Sequence, residues 1–343
     1  MGLSQNHFHM GGFCMSFDVY NDTTPVDFGQ PLVDRKSENS RPQPWAEHKG
    51  TNELMAAAYL TIGQNAKAAR VASCAPRLQF EKDEAGRLRL RRANFCRVRL
   101  CPVCQWRRSL KLYGQTVQVV DWVSKRQRVA WVMLTLTVRN VEGQNLSQAI
   151  TDVHQAWHRM TRTKPFTRAV LGWQRCVEVT HNTNPDDTAY NTYHPHIHAL
   201  LAVRPSYFTG RDYISRTKWA EMWRRASRID YEPQIWVTRT KGDTGAAVAE
   251  VTKYAAKPGD YLTPWDVDLM GESIQIFDAA LARRRLVAFG GLMKQAHAAL
   301  GLDDPEDGDL IHTDNAEEAA EAEAALTSFW WVPGYRQYYR QAW

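Results

Sequence analysis

Three segments in the middle of the chain alternate between apolar and polar side chains, a pattern typical of strands with one buried face. In residues 129–138, Val132, Leu134, Leu136 and Val138 occupy every second position, with Met or Thr between them. Segments 173–180 and 193–203 follow the same rule, with Glu, Thr or His on the second face. Because successive side chains of a strand point to opposite faces, each segment predicts a strand. A further strand is predicted at 234–240.

Other segments place their apolar residues at helical spacing. This spacing predicts helices at 146–162 and 216–227. A third helix is predicted at 245–257, where Asp243 and Thr244 can cap the start and a Pro-Gly pair stops the end. The elements together predict an α+β fold, in which an antiparallel sheet is covered by helices on one face and open on the other.

The composition divides the chain into four parts. Residues 1–52 are polar and lack periodicity, which predicts a poorly ordered leader. Residues 53–125 form a basic, Cys-rich module, in which the alternation at 87–91 predicts a half-exposed strand. The sheet and helices fill 126–300, and 301–343 are predicted to be an acidic, solvated linker followed by an aromatic tail.

The net charge and the lengths of the apolar runs indicate which classes of protein the chain can belong to. The 343 residues include 43 Lys and Arg against 37 Asp and Glu, a formal net charge of +6. This mild excess is compatible with a polyanionic partner. The start of the chain lacks a secretion signal, and no apolar run approaches the roughly 20 residues of a membrane span. We therefore expect a cytoplasmic protein.

Four of the six cysteines have a spacing typical of a metal site. Cys96, Cys101 and Cys104 lie within one short stretch, and Cys74 lies upstream. Structural disulfides are rare in a reducing compartment, whereas four thiolates suit a tetrahedral Zn²⁺. We therefore predict a structural zinc site. The alternative is that reduced cysteines pack as small apolar groups.

Arginines surround this cysteine cluster. Arg97, Arg99, Arg107 and Arg108 lie in a stretch, 87–111, that is nearly free of acidic residues. A solvated charged face would look similar, but the absence of acids favours contacts with DNA phosphates.

The strand at 193–203 carries a pair of histidines. His196 and His198 point to the same face, and Glu178 lies on the polar face of the strand predicted at 173–180. Two imidazoles and a carboxylate that converge can bind a divalent metal. The alternative is a pair of surface histidines on an amphipathic strand.

The helix predicted at 245–257 carries a second cluster. Glu250, Tyr254 and Lys257 follow each other at i, i+4 and i+7, opposite the apolar stripe, and Lys253 lies beside them. The alternative is a solvated Glu–Lys face with an amphipathic Tyr.

The order of these motifs resembles that of the HUH endonucleases. A Leu-Thr-Leu-Thr strand at 134–137 is followed by the His-x-His strand and then by Glu-x-x-x-Tyr-x-x-Lys. The variant resembles the rolling-circle replication initiators (Rep proteins) of small bacterial plasmids, and the block at 95–108 resembles their cysteine-rich stretch. The resemblance covers about 74–309. It implies an RRM-like or ferredoxin-like sheet whose open face bears the active site.

The resemblance implies a role for each residue of the two clusters. His196 and His198 would bind Mn²⁺ or Mg²⁺, with Glu178 as the candidate third ligand. Tyr254 would attack a phosphodiester and form a 5′-phosphotyrosine. Among its neighbours, Lys257 would stabilise the phenolate, Glu250 would act as general base at termination, and Lys253 would contact DNA. His194 would support the ligands, and Tyr261 would be structural.

The implied substrate is plasmid origin DNA, single-stranded or extruded as a hairpin, with a host helicase and DNA polymerase as partners. A relaxase or transposase with the same chemistry is an alternative. A zinc-containing DNA-binding regulator without catalysis is another. The polar cluster Glu250–Tyr254–Lys257 discriminates against the regulator, because a protein that only binds DNA has no reason to expose it beside a histidine pair.

Overall fold

The computed structural model describes residues 29–37, 39–240, 244–253, 255–312 and 326–340. Its helices are α1 (Trp45–Thr61), α2 (Asn65–Ala72), α3 (Pro102–Arg126), α4 (Leu146–Met160), α5 (Lys164–Ala169), α6 (Arg216–Ser227), α7 (Gly245–Val251), α8 (Val267–Leu281) and α9 (Gly291–Ala299). Its strands are β1 (Arg77–Lys82), β2 (Leu88–Ala93), β3 (Ala130–Thr137), β4 (Val141–Glu142), β5 (Val170–Asn182), β6 (Thr192–Val203), β7 (Ile235–Thr240), β8 (Val287–Gly290), β9 (Thr327–Val332) and β10 (Gln337–Arg340). Within these ranges, no helix is both long and apolar enough to cross a membrane.

The main sheet has the strand order β7-β3-β6-β5-β8, and the short β4 pairs with β6. All of these neighbours are antiparallel. The strands predicted from alternation correspond to β3, β5, β6 and β7, and they lie side by side. The α+β class and the antiparallel sheet are therefore confirmed.

One face of the main sheet is fully covered, as the alternation predicts. Leu134, Leu136 and Ile197 are buried there, in a core shared with Trp157 of α4 and Trp223 of α6. Burying large apolar side chains of this kind contributes roughly 1.5–3 kcal/mol each. This core fixes the orientation of β3 and β6, so that their alternate residues point to the second face.

The second face is not fully open, which corrects the prediction. Leu200, Ala202 and Trp131 form a separate apolar cluster with Val248 of α7 and Met293 of α9, and valines of α3 join it. The physical reason is that the polar positions of β6 become apolar after His198. Helices therefore cover one end of this face, and the polar side chains occupy the other end.

A second sheet with the order β10-β9-β1-β2 connects the two ends of the chain. The aromatic C-terminal segment forms β9, which pairs with β1. Tyr338 is fully buried, and its hydroxyl donates to the carbonyl of Ala75 over 2.6 Å.

Helix α1 begins inside the segment predicted as a poorly ordered leader. Trp45 is buried at its start, in edge-to-face contact with Phe80 and Trp106, and its indole N–H donates to Asp34. Apolar and polar residues are mixed around this helix, so no amphipathic pattern reveals it. Residues 1–28 lie outside the described ranges.

Helix α7 ends at Val251, six residues earlier than predicted. Thr252 Oγ1 donates back to the carbonyl of Val248 over 2.8 Å, and the carbonyl of Thr252 accepts from Ser109 Oγ at 2.5 Å. Lys257 has an extended backbone, the conformation that a following proline favours. The prediction that Glu250 and Lys257 lie on one face of the same helix is therefore wrong.

A candidate metal centre on the polar face of the sheet

Strand register brings Glu178, His196 and His198 together. Glu178 of β5 lies directly opposite His196 of β6, and His198 is two residues further along the same face. Glu178 Oε2 lies 3.4 Å from Nε2 of His196 and 3.0 Å from Nε2 of His198. The convergence predicted from alternation is confirmed, and all three side chains are buried.

Both imidazole rings are oriented through their other nitrogen. Nδ1 of His196 lies 3.0 Å from the carbonyl oxygen of His194, and Nδ1 of His198 lies 3.1 Å from Thr135 Oγ1. A carbonyl oxygen can only accept, so Nδ1 of His196 donates a hydrogen to it, and Nε2 is the ring nitrogen that faces Glu178. This arrangement is typical of metal-binding histidines. The sequence did not single out Thr135, although its place on the polar face of β3 was visible.

The three ligand atoms fit a divalent cation. They lie within 4.8 Å of one another, and they combine two imidazoles, which suit transition-metal dications, with one carboxylate, which also suits Mg²⁺ and Mn²⁺. Burial raises the pKa of Glu178, but hydrogen bonds with His196, His198 and Lys257 outweigh burial and hold the pKa well below its usual range. The carboxylate is therefore ionised, as metal binding requires.

Two further charged residues reach this centre although they do not share a helix. Glu250, in the last turn of α7, places Oε1 3.6 Å from Nε2 of His198 and Oε2 2.5 Å from Nζ of Lys253. Lys257 lies after the helix and places Nζ 2.9 Å from Glu178 Oε1. The hydrogen bond to Glu178 raises the pKa of Lys257, so that its ammonium form is favoured.

Tyr254, the predicted nucleophile, lies outside the described residues. Both of its neighbours in the chain contact β5: Val179 N–H donates to the carbonyl of Ala255 over 2.7 Å, and the carbonyl of Lys253 lies 3.8 Å from Cys176 Sγ.

Tyr261 is buried in the core, in agreement with the structural role expected for it. Its hydroxyl donates to the carbonyl of Leu100 and accepts from Gln105 Nε2, both over 3.0 Å.

The four cysteines predicted as a zinc site also converge. Sγ of Cys74 lies 3.6 Å from Sγ of both Cys101 and Cys104, and Sγ of Cys96 lies 3.7 Å from that of Cys104. A tetrahedral Zn²⁺ with Zn–S bonds of about 2.3 Å requires S–S separations of about 3.8 Å. The cluster therefore fits zinc. Backbone N–H groups point at two of the sulfurs, from Cys96 to Cys74 and from Arg97 to Cys104.

A buried lysine adds positive charge beside this cluster. Lys49 Nζ donates to the carbonyls of Ala72 and Cys74, each over 2.7 Å. Four thiolates around Zn²⁺ carry a formal charge of 2−, which a neighbouring ammonium group partly balances.

The arginines around the cysteines contact the protein itself, and their contact with DNA stays a prediction. They dock the segment 306–311, part of the acidic stretch that was predicted to be a solvated linker. Arg107 is only 6% exposed. One ion pair, between Arg99 and Glu306, and several backbone carbonyls make these contacts. The contacts are Arg97 to the carbonyls of Asp307 and Gly308, Arg99 to the carboxylate of Glu306, Arg107 to the carbonyls of Leu310 and Ile311, and Arg108 to the carbonyl of Glu306.

Another basic surface lies against β2, in the same module. A cavity of about 330 Å³ is lined by more basic than acidic side chains. The charged residues that line it are Arg35, Lys36, Arg87, Arg89, Arg91 and Arg107, together with Asp34 and Asp83.

The chain is similar to known proteins over most of its length. A family model described as Replication protein matches residues 87–339. The chain is 33% identical to a protein named Protein rep from Bacillus amyloliquefaciens, over 90% of this chain and 96% of the relative. It is 34% identical to Protein rep from Streptococcus pneumoniae serotype 2, over 86% of this chain and 91% of the relative. No solved structure matches the chain.

Proposed function

The chain belongs to the Replication protein family, and on that premise we propose that it is an HUH endonuclease that initiates rolling-circle replication of a plasmid. In this proposal it nicks one strand at the double-strand origin and leaves a 3′-OH that a polymerase extends. The observation that carries the proposal is the convergence of Glu178, His196 and His198, with Glu250 and Lys257 beside them.

The metal ligands are proposed to be Nε2 of His196, Nε2 of His198 and Oε2 of Glu178. A bound Mn²⁺ or Mg²⁺ would supply charge neutralisation at a non-bridging phosphate oxygen. The side chains and backbone of the protein position the ligands. The core behind β3 and β6 keeps the ligands rigid, and Thr135 and the His194 carbonyl hold the rings in place.

Tyr254 is the proposed nucleophile. Its phenol loses a proton, the oxygen attacks phosphorus, and the bond from phosphorus to O3′ breaks. O3′ takes up a proton, so the products are a 5′-phosphotyrosine and a free 3′-OH. The contacts of Lys253 and Ala255 with β5 beside Glu178 support this assignment. The Lys257 ammonium adds positive charge at the centre, which favours the phenolate.

Glu250 is proposed to end a round of replication. An enzyme with one active tyrosine needs a second nucleophile to resolve the adduct, either water or the 3′-OH of the new strand. Glu250 lies next to His198 and is partly exposed, so its carboxylate can accept a proton from that nucleophile as general base.

The Cys-rich module is proposed to contact duplex origin DNA. Zn²⁺ held by Cys74, Cys96, Cys101 and Cys104 would fix the module. Arg97, Arg99, Arg107 and Arg108 are proposed to contact DNA phosphates, and the basic cavity against β2, which Arg107 also lines, is proposed as a further phosphate-binding surface. A host helicase and DNA polymerase would act after the nick.

The test is covalent adduct formation. The protein is incubated with Mn²⁺ and a labelled single-stranded origin oligonucleotide, and the products are separated on a denaturing gel. We expect an adduct with the wild-type chain and with Tyr335→Phe, an exposed tyrosine elsewhere, but none with Tyr254→Phe. An adduct that persists in Tyr254→Phe would place the nucleophile on another residue.

The same gel tests the alternative functions. The four-cysteine cluster favours a zinc-containing regulator without catalysis as the second candidate. That candidate predicts sequence-specific binding and no adduct with any origin. A relaxase or transposase of the same chemistry predicts an adduct only on transfer-origin or transposon-end DNA.

A further inference from the structure

An exposed tryptophan, Trp236, lies in the same row of the sheet as the metal centre. Thr135 of β3 is paired with Trp236 of β7 on one side and with His198 of β6 on the other. Directly paired residues of antiparallel strands project to the same face. Neighbouring strands lie about 4.8 Å apart, so the Cα atoms of Trp236 and His198 are separated by roughly 10 Å across the sheet.

The face of β7 on which Trp236 lies is accessible to solvent. The Trp236 side chain is 53% exposed, and Thr238 on the same face is exposed too, whereas Ile235 on the opposite face is buried. Helix α7 packs over β5 and β6, on the other side of the metal centre. Among the residues that the structure describes, α7 therefore leaves a strip of sheet from His198 across Thr135 to Trp236 for a ligand.

Exposure alone would not single out this residue, because isolated apolar side chains on a surface are common. Trp265 is 70% exposed, and it lies in the segment before α8, outside the strands of the main sheet. What distinguishes Trp236 is its position. It presents a rigid aromatic ring one strand beyond Thr135, the residue that orients a proposed metal ligand.

We propose that Trp236 is a stacking platform for an unpaired base that flanks the scissile phosphate. This inference rests on the proposed nicking function, whose substrate is single-stranded at the cleavage site. Proteins bind such strands by stacking bases on aromatic side chains, because every base has a π-face whatever its sequence. With its phosphate at the metal centre, a strand crossing Thr135 brings a neighbouring base over Trp236. The stacked base covers apolar surface that the free protein exposes to water.

The first experiment measures binding of a labelled single-stranded origin oligonucleotide by fluorescence anisotropy in the presence of Mn²⁺. All proteins carry Tyr254→Phe, so that the proposed cleavage does not interfere. We expect Trp236→Ala to weaken binding roughly 5- to 150-fold, the range for loss of one stacked base. Trp236→Phe should recover most of the affinity, and Trp265→Ala, the matched control, should leave it unchanged. Equal affinity of Trp236→Ala and its parent overturns the inference.

The second experiment locates the base. Single abasic sites are placed at each position around the nick, and binding is measured with Trp236 and with Trp236→Ala. At one position, removal of the base should weaken binding to the parent protein but have no effect on Trp236→Ala. If base removal and Trp236→Ala act additively at every position, Trp236 contacts no base and the inference is wrong. Trp236→Phe in the same scan keeps the test valid if the alanine variant is poorly folded.

The adduct gel separates failure of this inference from failure of the proposed function. If the wild-type chain forms no adduct with any origin, nicking is wrong, and the abasic scan still reports whether a base stacks on Trp236. If wild type and Trp236→Ala form adducts with equal rates and affinities, nicking stands and the stacking role is wrong.

Discussion

At the scale of single residues, the two imidazoles of the candidate metal centre are oriented by neutral groups. Alternation along β5 and β6 was enough to predict that Glu178, His196 and His198 share one face. It was not enough to predict what orients the rings, because that depends on strand register. The pairing of Thr135 with His198, and of the His194 carbonyl with His196 Nδ1, becomes visible only in the folded sheet.

The hydrogen bond between Thr135 and His198 gives the first prediction. Thr135→Val keeps the shape and the β-branched side chain but removes the hydroxyl. Loss of a group that orients a metal ligand typically costs 10- to 100-fold in metal affinity, and we expect an effect in that range for Mn²⁺ binding followed by electron paramagnetic resonance. Thr238→Val, on the exposed edge strand, is the control. Unchanged affinity in Thr135→Val would mean that packing alone holds the ring.

Glu250 gives a second prediction at this scale. Glu250→Gln keeps the size of the side chain but cannot accept a proton, so nicking should proceed while hydrolytic release of the adduct slows by roughly 100-fold or more. The measurement is a time course of adduct formation and decay on a denaturing gel. Glu221→Gln on α6 serves as control. Release as fast as in wild type would exclude Glu250 as the base.

At the scale of elements, periodicity predicted β3, β5, β6 and β7 and the helices α4 and α6, but it misplaced the end of α7. Val248, Val251 and Ala255 keep helical spacing, so the sequence alone suggests one helix to Lys257. The chain leaves the helix because Ser109 of α3 hydrogen bonds the Thr252 carbonyl and because proline follows Lys257. The first of these causes is a tertiary contact, which no local pattern contains. Glu250 reaches the centre from the last turn of α7, whereas Lys257 reaches it from the extended chain after the helix, so the two do not share a helix face.

The prediction at this scale concerns the edge strand β2 and its role in binding duplex DNA. Arg87 and Arg89 line the basic cavity, and both pair with Asp83 on the surface. Each phosphate contact contributes about 0.9 to the slope of log affinity against log salt concentration. If both side chains contact phosphates, Arg87→Ser with Arg89→Ser should lower the slope for duplex origin DNA by roughly 2. Arg225→Ser on α6 is the control, and an unchanged slope in the double variant would place the duplex elsewhere.

At the scale of the whole molecule, the features that the sequence did not predict are contacts between distant parts of the chain. The aromatic tail pairs with β1, and the acidic segment is docked by arginines some 200 residues away. Composition showed each segment to be aromatic, acidic or basic, but not which segment was the partner of which. The sequence predicts that the arginines contact DNA, and the structure adds that they also contact a distant segment of the protein itself.

The cysteine cluster joins these distant parts, which leads to the last prediction. Cys74 precedes β1, Cys96 follows β2, and Cys101 and Cys104 lie at the start of α3, so a bound Zn²⁺ would tie the second sheet to the long helix that packs under α7 and α9. We expect one zinc per chain by elemental analysis, lost in Cys104→Ser but retained in Cys176→Ala.

Zinc loss should also show where the ion acts. Zinc bound to a folded site contributes its binding free energy to folding, so hydrogen exchange should accelerate first in β1, β2 and the start of α3, while β3 and β6 stay protected by their own core. Uniform acceleration across both sheets would mean that the protein unfolds as one unit without the metal. If Cys104→Ser keeps both the zinc content and the hydrogen exchange of the wild type, the zinc is not bound by these cysteines, and they pack as reduced thiols. A tetrahedral site that loses one of its four ligands should change the zinc content or the exchange.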